Sequence, residues 1–299
     1  MTQSMPSNAP TATPQGTLLS TDWAAEWRDT QVFRHAPDDP AVWDARAAHF
    51  KPRETHPYAR DFIKLIEAQP GERIFDMGCG AGSLAIPLAQ AGHPVTAADF
   101  SPAMLDNLRE GIAYHHLEHL ISPLRLAWDD DWTAAGLTRK SVDIAIASRS
   151  IATHDLQSAL LKLDGIARRR CCVTLVTGSS PRYDEHVLRA IGVPVTPSRD
   201  YIYAFNILTQ LGVTPEVRYI DSPRRDTFDS IEEAVEDFSR MLEGGNEHRV
   251  GALRSYLAAH MVPNEHAGEA GQKGKPQGRY ALDHIRNVRW AFISWTPRS

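Results

Sequence analysis

The stretch RIFDMGCGAGSLAIPLAQAGHPVTAADFS, from Arg73 to Ser101, holds a carboxylate, three alternate glycines and a second carboxylate. Gly78, Gly80 and Gly82 permit a tight turn and let a ligand approach the backbone closely. Alone, this alternation is a weak signal. Asp99 strengthens it. It ends the second predicted strand, 21 positions beyond Gly78, where a carboxylate faces the ribose hydroxyls of an adenosine-containing ligand. Asp76 sits two residues before Gly78. A carboxylate so placed repels a pyrophosphate and welcomes an ammonium or sulfonium group. A third acidic segment, WDDDW from Trp128 to Trp132, follows the third predicted strand and can accept a hydrogen bond from an adenine amino group. Purely structural readings compete. Asp76 could cap a helix, Asp99 could belong to a turn, and Asp129–Asp131 could begin a solvated helix. Cys79 reads as a small residue that fits the turn.

Strands and helices must alternate to hold these residues in one place. RIFDM, HPVTAADF, ISPLRLAW, SVDIAIAS and CCVTLVTG read as strands. Between them AGSLAIPLAQAG, SPAMLDNLREGIAYHH and DLQSALLKLDGIARRR read as helices. Ser101 and Pro102 form an N-cap followed by proline at the first helical position. Continuous apolar strands between helices predict a parallel sheet covered on both faces. Upstream, TDWAAEWRDT, DPAVWDARAAHF and HPYARDFIKLIEAQ read as helices. Downstream, DYIYAFNILTQLG, SIEEAVEDFSRMLEGG and EHRVGALRSYLAAHM read as helices, TPEVRYI and HIRNVRWAFISW as strands, and NEHAGEAGQKGKPQGRY as a loop. Ser230 and Glu233 have capping-box spacing.

The 299 residues are 42% hydrophobic and 23% charged, with a net charge of −5. That suits a globular enzyme-sized chain and argues against a nucleic-acid binder, whose surface is usually basic. The tight basic run Arg168–Arg170 reads as the end of a helix, complementing its dipole. Three cysteines, Cys79, Cys171 and Cys172, make no disulfide framework and no zinc spacing. Cys171 and Cys172 read as small buried hydrophobes. No metal is expected. Residues 1–18 are polar and rich in Pro, Ser and Thr, and read as a disordered tail without a secretory signal. No stretch is apolar enough for a membrane span. A cytoplasmic location is expected.

DMGCGAG, Asp99 with FSPAML after it, and the acidic residues Asp129 and Asp130 resemble the class I S-adenosylmethionine-dependent methyltransferases. The resemblance covers Arg73 to Gly178 and extends more loosely through the final two strands. It implies an α/β Rossmann-like fold: a seven-stranded, mainly parallel sheet with one antiparallel strand, helices on both faces, and N-terminal and C-terminal helical cap segments. After the tail, one domain would run over 19–299. It divides into an N-terminal helical segment (19–70), a cofactor-binding core (71–180) and a C-terminal half (181–299) with a helical cap at about 228–262. The implied cofactor is S-adenosylmethionine. Gly78, Cys79, Gly80 and Gly82 would line its methionine end, with Asp76 near the amino group. Asp99 would hold the ribose, Phe100 would pack on the adenine, and Trp128 and Asp129 would border the adenine edge. Ser148 would approach the amino group through its backbone. The family often has one aspartate after the third strand, whereas three follow Trp128 here. The choice between Asp129 and Asp130 stays open.

The methyl acceptor is less legible. The segment after the fourth strand, ASRSIATHD, lacks the Asn/Asp-Pro-Pro-aromatic run of adenine-N6 enzymes. There is no Pro-Cys pair as in cytosine-C5 enzymes, and no pair of glutamates there as in protein-arginine enzymes. A small-molecule acceptor is the favoured reading, over RNA or protein. In-line methyl displacement chiefly needs alignment of the nucleophile, so a general base is optional. His154 is the nearest candidate base, and Tyr201 and Tyr203 are candidate pocket residues. Arg149 could pair an acidic substrate or form a structural salt bridge. A nicotinamide-dependent oxidoreductase and a non-catalytic S-adenosylmethionine-binding protein are the rival readings.

Overall fold

A computed structural model describes residues 20–32, 40–47, 57–178, 181, 183–271 and 276–299. The tail expected at 1–18 lies outside the described residues. The described residues begin with three helices, α1 (Trp23–Val32), α2 (Pro40–Ala47) and α3 (Pro57–Ile66). The alternating core follows: β1 (Ile74–Met77), α4 (Ala85–Gln90), β2 (Val95–Asp99), α5 (Pro102–His115), β3 (Ile121–Arg125), β4 (Val142–Ser148), α6 (Leu156–Ile166) and β5 (Ala167–Val176). Then come α7 (Glu185–Ala190), α8 (Asp200–Gln210), β6 (Glu216–Arg224), β7 (Thr227–Phe228), α9 (Ile231–Ser239), α10 (Val250–His260), β8 (Met261–Pro263), β9 (Tyr280–Leu282) and β10 (Arg286–Trp295).

Seven strands form one sheet in the order β3-β2-β1-β4-β5-β10-β6. The pairings from β3 through β5 are parallel, and β10 runs antiparallel to both β5 and β6. β10 is thus the single reversed strand. The sequence VDIAIAS of β4 is buried almost throughout because helices cover both faces of the sheet. One face packs Phe75, Met77 and Leu160 with α1, α6 and α8, and the other packs Phe62, Leu88 and Phe292 with α3, α4 and α5. A third apolar cluster holds Phe228, Phe238, Leu253, Leu257 and Leu282. It joins α9 and α10 to a small second sheet, β7-β9-β8, which strands of two or three residues made invisible to periodicity. α7 contributes Val187 and Leu188 to that cluster.

Local signals account for the helix starts. Ser101 Oγ accepts from Met104 N at 3.1 Å, with Pro102 at the first position of α5. Ser230 Oγ accepts from Glu233 N at 3.2 Å, while Glu233 reaches back to Asp229 N rather than to Ser230 N. One expectation fails. Arg168–Arg170 do not end a helix; they begin β5, since α6 stops at Ile166. Their charges are met across the sheet. Arg168 pairs with Asp143 at 3.2 Å, Arg169 makes a two-toothed contact with Glu72 at 2.5 and 2.7 Å, and Arg170 pairs with Glu67 at 3.1 Å. The apolar second half of the same strand buries Cys171 and Cys172 completely, as free thiols. The strand expected over ISPLRLAW ends at Arg125, three residues early, where the backbone turns toward WDDDW. Among the described residues no helix is long and apolar enough to cross a membrane.

Each N-terminal helix is tied to the sheet by a side chain. Trp27 of α1 is fully buried, donates its indole N–H to Thr153 O at 2.8 Å, and meets Tyr203 of α8 edge-on with centroids 5.6 Å apart. Trp27→Ala should lower the unfolding free energy by about 3–5 kcal/mol in denaturant titrations, because the deleted indole leaves a cavity that the sheet and α8 cannot fill.

Candidate functional site

The site begins where β1 stops. Gly78 N and Cys79 N both donate to Ala98 O of β2, at 2.8 and 3.0 Å, so the chain turns sharply over the neighbouring strand end. Gly78 has φ +72°, and a Cβ there would lie 2.3 Å from the Ser150 Cβ. Ser150 is fixed in turn because its hydroxyl donates to Met77 O at 2.6 Å. At Gly82, φ is +90° and a Cβ would meet the Leu108 Cδ1 at 2.5 Å, which is why α5 can pack so close to the turn.

Two carboxylates flank this turn. Asp99 accepts from Gly80 N at 2.8 Å and from Ser101 N at 2.9 Å. It therefore braces the glycine loop, and its remaining lone pairs are available to hydroxyl donors. Burial raises its pKa, and the backbone N–H groups oppose that rise. Asp76 differs. It is 1% exposed, and neither carboxylate oxygen has a hydrogen-bond partner among the described residues. Burial, with the negative charge of Asp99 nearby, pushes its pKa up to about 7. A buried carboxylate without a partner is costly unless something cationic occupies the space beside it. An ammonium-bearing ligand fits that requirement, and the open left-handed turn fits a ligand that lies against backbone.

The other expected residues are distributed around this centre. Cys79 is buried beside the two carboxylates, and its thiol is pushed well above its usual range by desolvation first and by those charges second. Phe100, half-buried, follows Asp99 directly. Trp128 donates its indole N–H to Ser150 O at 2.9 Å and stacks on Trp132 at 5.4 Å, linking the end of β3 to the end of β4. The three aspartates divide their work. Asp130 accepts from Ala127 N at 2.8 Å, and Asp131 accepts from Thr133 N and Ala134 N at 2.9 and 3.1 Å. Asp129 is exposed and spent on no such turn.

Ser148 ends β4 with its hydroxyl 2.7 Å from the Tyr58 hydroxyl, which lies 2.8 Å from Thr174 Oγ1. Burial raises the Tyr58 pKa, while the guanidinium of Arg149 pulls it down. His154 is exposed just before the Asp155 N-cap of α6. Tyr203 packs between Trp23 and Trp27, and Tyr201 stands edge-on to Tyr219 of β6, with β5 and β10 between that strand and β4. Tyr58, Asp44 and Ser150 went unread. Tyr58 shares the helical face of Phe62 and Ile66, one turn earlier, which was the available signal. Asp44 of α2 accepts from Ser101 Oγ at 2.5 Å across 57 positions of sequence, for which no local signal exists.

Comparison with known proteins gives the same picture. A family model described as "Methyltransferase domain" matches residues 74–168, the stretch that builds the turn and both carboxylates. A protein of Haemophilus influenzae named only as uncharacterized is 32% identical over 186 residues, covering 61% of this chain and 67% of that one. The ubiquinone biosynthesis O-methyltransferase of Hahella chejuensis is 36% identical over 88 residues, which span 27% of this chain and 37% of the enzyme's own length. The YcgJ protein of Bacillus subtilis superposes with a TM-score of 0.51 at 14% identity, over 81% of this chain and 98% of that one, a likeness of fold.

The Asp76 pKa has a consequence for stability. The folded value lies above the unfolded one, so the unliganded protein loses stability as pH rises from about 4 to about 7, by on the order of 4 kcal/mol in all. Asp76→Asn removes the ionisation. Without ligand, this variant should unfold at higher denaturant than the parent at about pH 8, with the difference closing as pH falls toward about 4.

Proposed function

Because this chain belongs to the class I S-adenosylmethionine-dependent methyltransferases, we propose that it methylates an O, N or C nucleophile on a small molecule. S-adenosylmethionine supplies, when bound, a methyl group on a sulfonium that is already activated for displacement. The protein's own task is to bind, orient and exclude water. Asp76 would take the ammonium, and the turn at Gly78–Gly82 would lie against the amino-acid end. Asp99 would accept the ribose hydroxyl protons, Phe100 would pack on the adenine, and Asp129, the aspartate left free by its neighbours, would receive the adenine amino group beside Trp128. The backbone at Ser148 would complete the amino-acid site. His154 is the side chain at the rim that could remove a proton where the acceptor needs it.

The observation that carries the small-molecule reading is that the N-terminal helices are hydrogen-bonded to the segments at the strand ends. Asp44, Trp27 and Tyr58, one from each N-terminal helix, hydrogen-bond to Ser101, Thr153 and Ser148 respectively. Helices so tied would hinder the approach of a broad macromolecular acceptor to those strand ends. A net charge of −5 and the ubiquinone-biosynthesis relative point the same way. On this reading the domain runs from 19 onward, with the N-terminal helices and the cap shaping the acceptor pocket.

Tritium from the methyl of S-adenosylmethionine, incubated with the protein and an extract of its source cells, should enter material that passes a small-pore ultrafilter. Label retained with RNA or protein would overturn the small-molecule reading, and Asp99→Ala should abolish labelling of either kind. A second expectation concerns protons. An ammonium beside Asp76 favours its ionised form, so binding expels a proton below about pH 7. Affinity for S-adenosylhomocysteine, by calorimetry, should rise by up to about tenfold per pH unit toward pH 7 and then level off. Asp76→Asn should bind more weakly and without that slope.

A further inference from the structure

Arg149, directly after β4, is the least comfortable residue near the site. Its φ is +60°, a left-handed conformation that disfavours a side-chain-bearing residue. The surroundings enforce it. Arg149 N donates to Thr174 Oγ1 at 3.0 Å, and the same hydroxyl touches the Tyr58 hydroxyl at 2.8 Å. In this posture the guanidinium lies over the Tyr58 ring, 4.2 Å from its centroid, and 5.9 Å from that of Trp290 in β10. Its residue is exposed, and no carboxylate of a described residue pairs with it. Nearly all the other arginines around the sheet are engaged: Arg168, Arg169, Arg170, Arg218 and Arg289 each face an acid. The salt bridge considered for Arg149 from the sequence is thus not formed among the described residues.

A guanidinium stacked on an aromatic face keeps its in-plane N–H donors outward, in the fork that suits a carboxylate or phosphate. Its location selects the molecule that brings that anion. The glycine turn and both carboxylates stand at the ends of β1 and β2. Arg149 is aimed the other way, over Tyr58 and Trp290, across the half of the sheet formed by β5 and β10. We propose that Arg149 is a specificity-determining residue that receives an anionic group, carboxylate or phosphate, on the methyl acceptor. This rests on the reading of the turn as the S-adenosylmethionine site. The other source of a carboxylate in that space is the amino-acid end of the cofactor, and the experiment separates the two.

Protein saturated with S-adenosylhomocysteine is titrated with inorganic phosphate and with acetate, followed by tryptophan fluorescence. Arg149→Asn and Arg149→Lys are run alongside, since asparagine tolerates the left-handed backbone without the charge. The proposal expects saturable binding of one of these anions in the millimolar range, weakened roughly ten- to a hundredfold by Arg149→Asn and partly restored by Arg149→Lys. Affinity for S-adenosylhomocysteine should be unchanged in both variants. Equal anion binding in parent and Arg149→Asn, or none up to tens of millimolar, would overturn it. So would a tenfold loss of S-adenosylhomocysteine affinity with none for 5′-methylthioadenosine, which lacks the amino-acid end, because the arginine would then serve the cofactor. Failure of the parent to bind S-adenosylhomocysteine at all would strike the cofactor-site reading itself and with it the premise of the proposal, and calorimetry on the parent alone reports that separately. Unaltered melting temperatures show that both variants are folded.

Discussion

A carboxylate sealed in a sheet with nothing to bond to is the constraint around which this molecule is arranged. Asp76 lies inside β1, flanked by apolar neighbours, with both oxygens unsatisfied. A protein interior tolerates such a group only by neutralising it or by leaving room for a partner. Burial does the first, pushing the Asp76 carboxyl up to about 7, so that it is partly neutral near that pH. Met77 O is tied down by Ser150, the next two amides are tied to Ala98 O, and a Cβ at Gly78 would collide with Ser150. The backbone around Asp76 is thus fixed by hydrogen bonds. A cation that reached the carboxylate would favour its ionised form, which converts burial into affinity.

The rigidity comes from far along the chain. The three N-terminal helices reach the strand ends through Asp44, Trp27 and Tyr58, over sequence separations of 57, 126 and 90. These contacts end on the loops at the strand ends: Ser101 follows Asp99 and Phe100, Ser148 ends β4, and Thr153 lies in the loop after it. The N-terminal helices therefore brace the loops that the proposed reading assigns to the cofactor, although they contribute no residue to the glycine turn.

That separation also explains what was legible in the sequence. The glycine turn, Asp99, the Ser101–Pro102 helix start and the apolar run of β4 are local patterns, in which a residue and its structural reason sit within a few positions. The order of elements and the parallel core followed from them. Arg168–Arg170 defeated local reading because a charged run at the start of a buried strand is stable only through Asp143, Glu72 and Glu67, which arrive from β4 and from the segment between α3 and β1. The three short strands of the second sheet carry too few residues for any period to show. Of the three aspartates after Trp128, the sequence shows equivalent side chains, and only the turn geometry distinguishes Asp130 and Asp131, which hold backbone amides, from Asp129, which does not.

Arg149 shows the limit from the other side. Composition and spacing register an arginine, but not its backbone, and it is the backbone that gives the residue its meaning. A glycine at φ +60° would meet the turn at no steric cost. The arginine is instead held there by Thr174, and its charge is spread over Tyr58, a ring whose own hydroxyl is fixed by the same Thr174 and by Ser148. One hydroxyl thus sets the pose of the cation and of the surface that supports it. The end of β4 consequently separates two electrostatic environments. On the β1–β2 side, buried carboxylates call for positive charge. On the β5–β10 side, a cation with no acidic partner among the described residues calls for negative charge. On the proposed reading, a molecule that crossed from one to the other would be oriented by that sign change, and in a displacement reaction alignment is most of what a protein supplies.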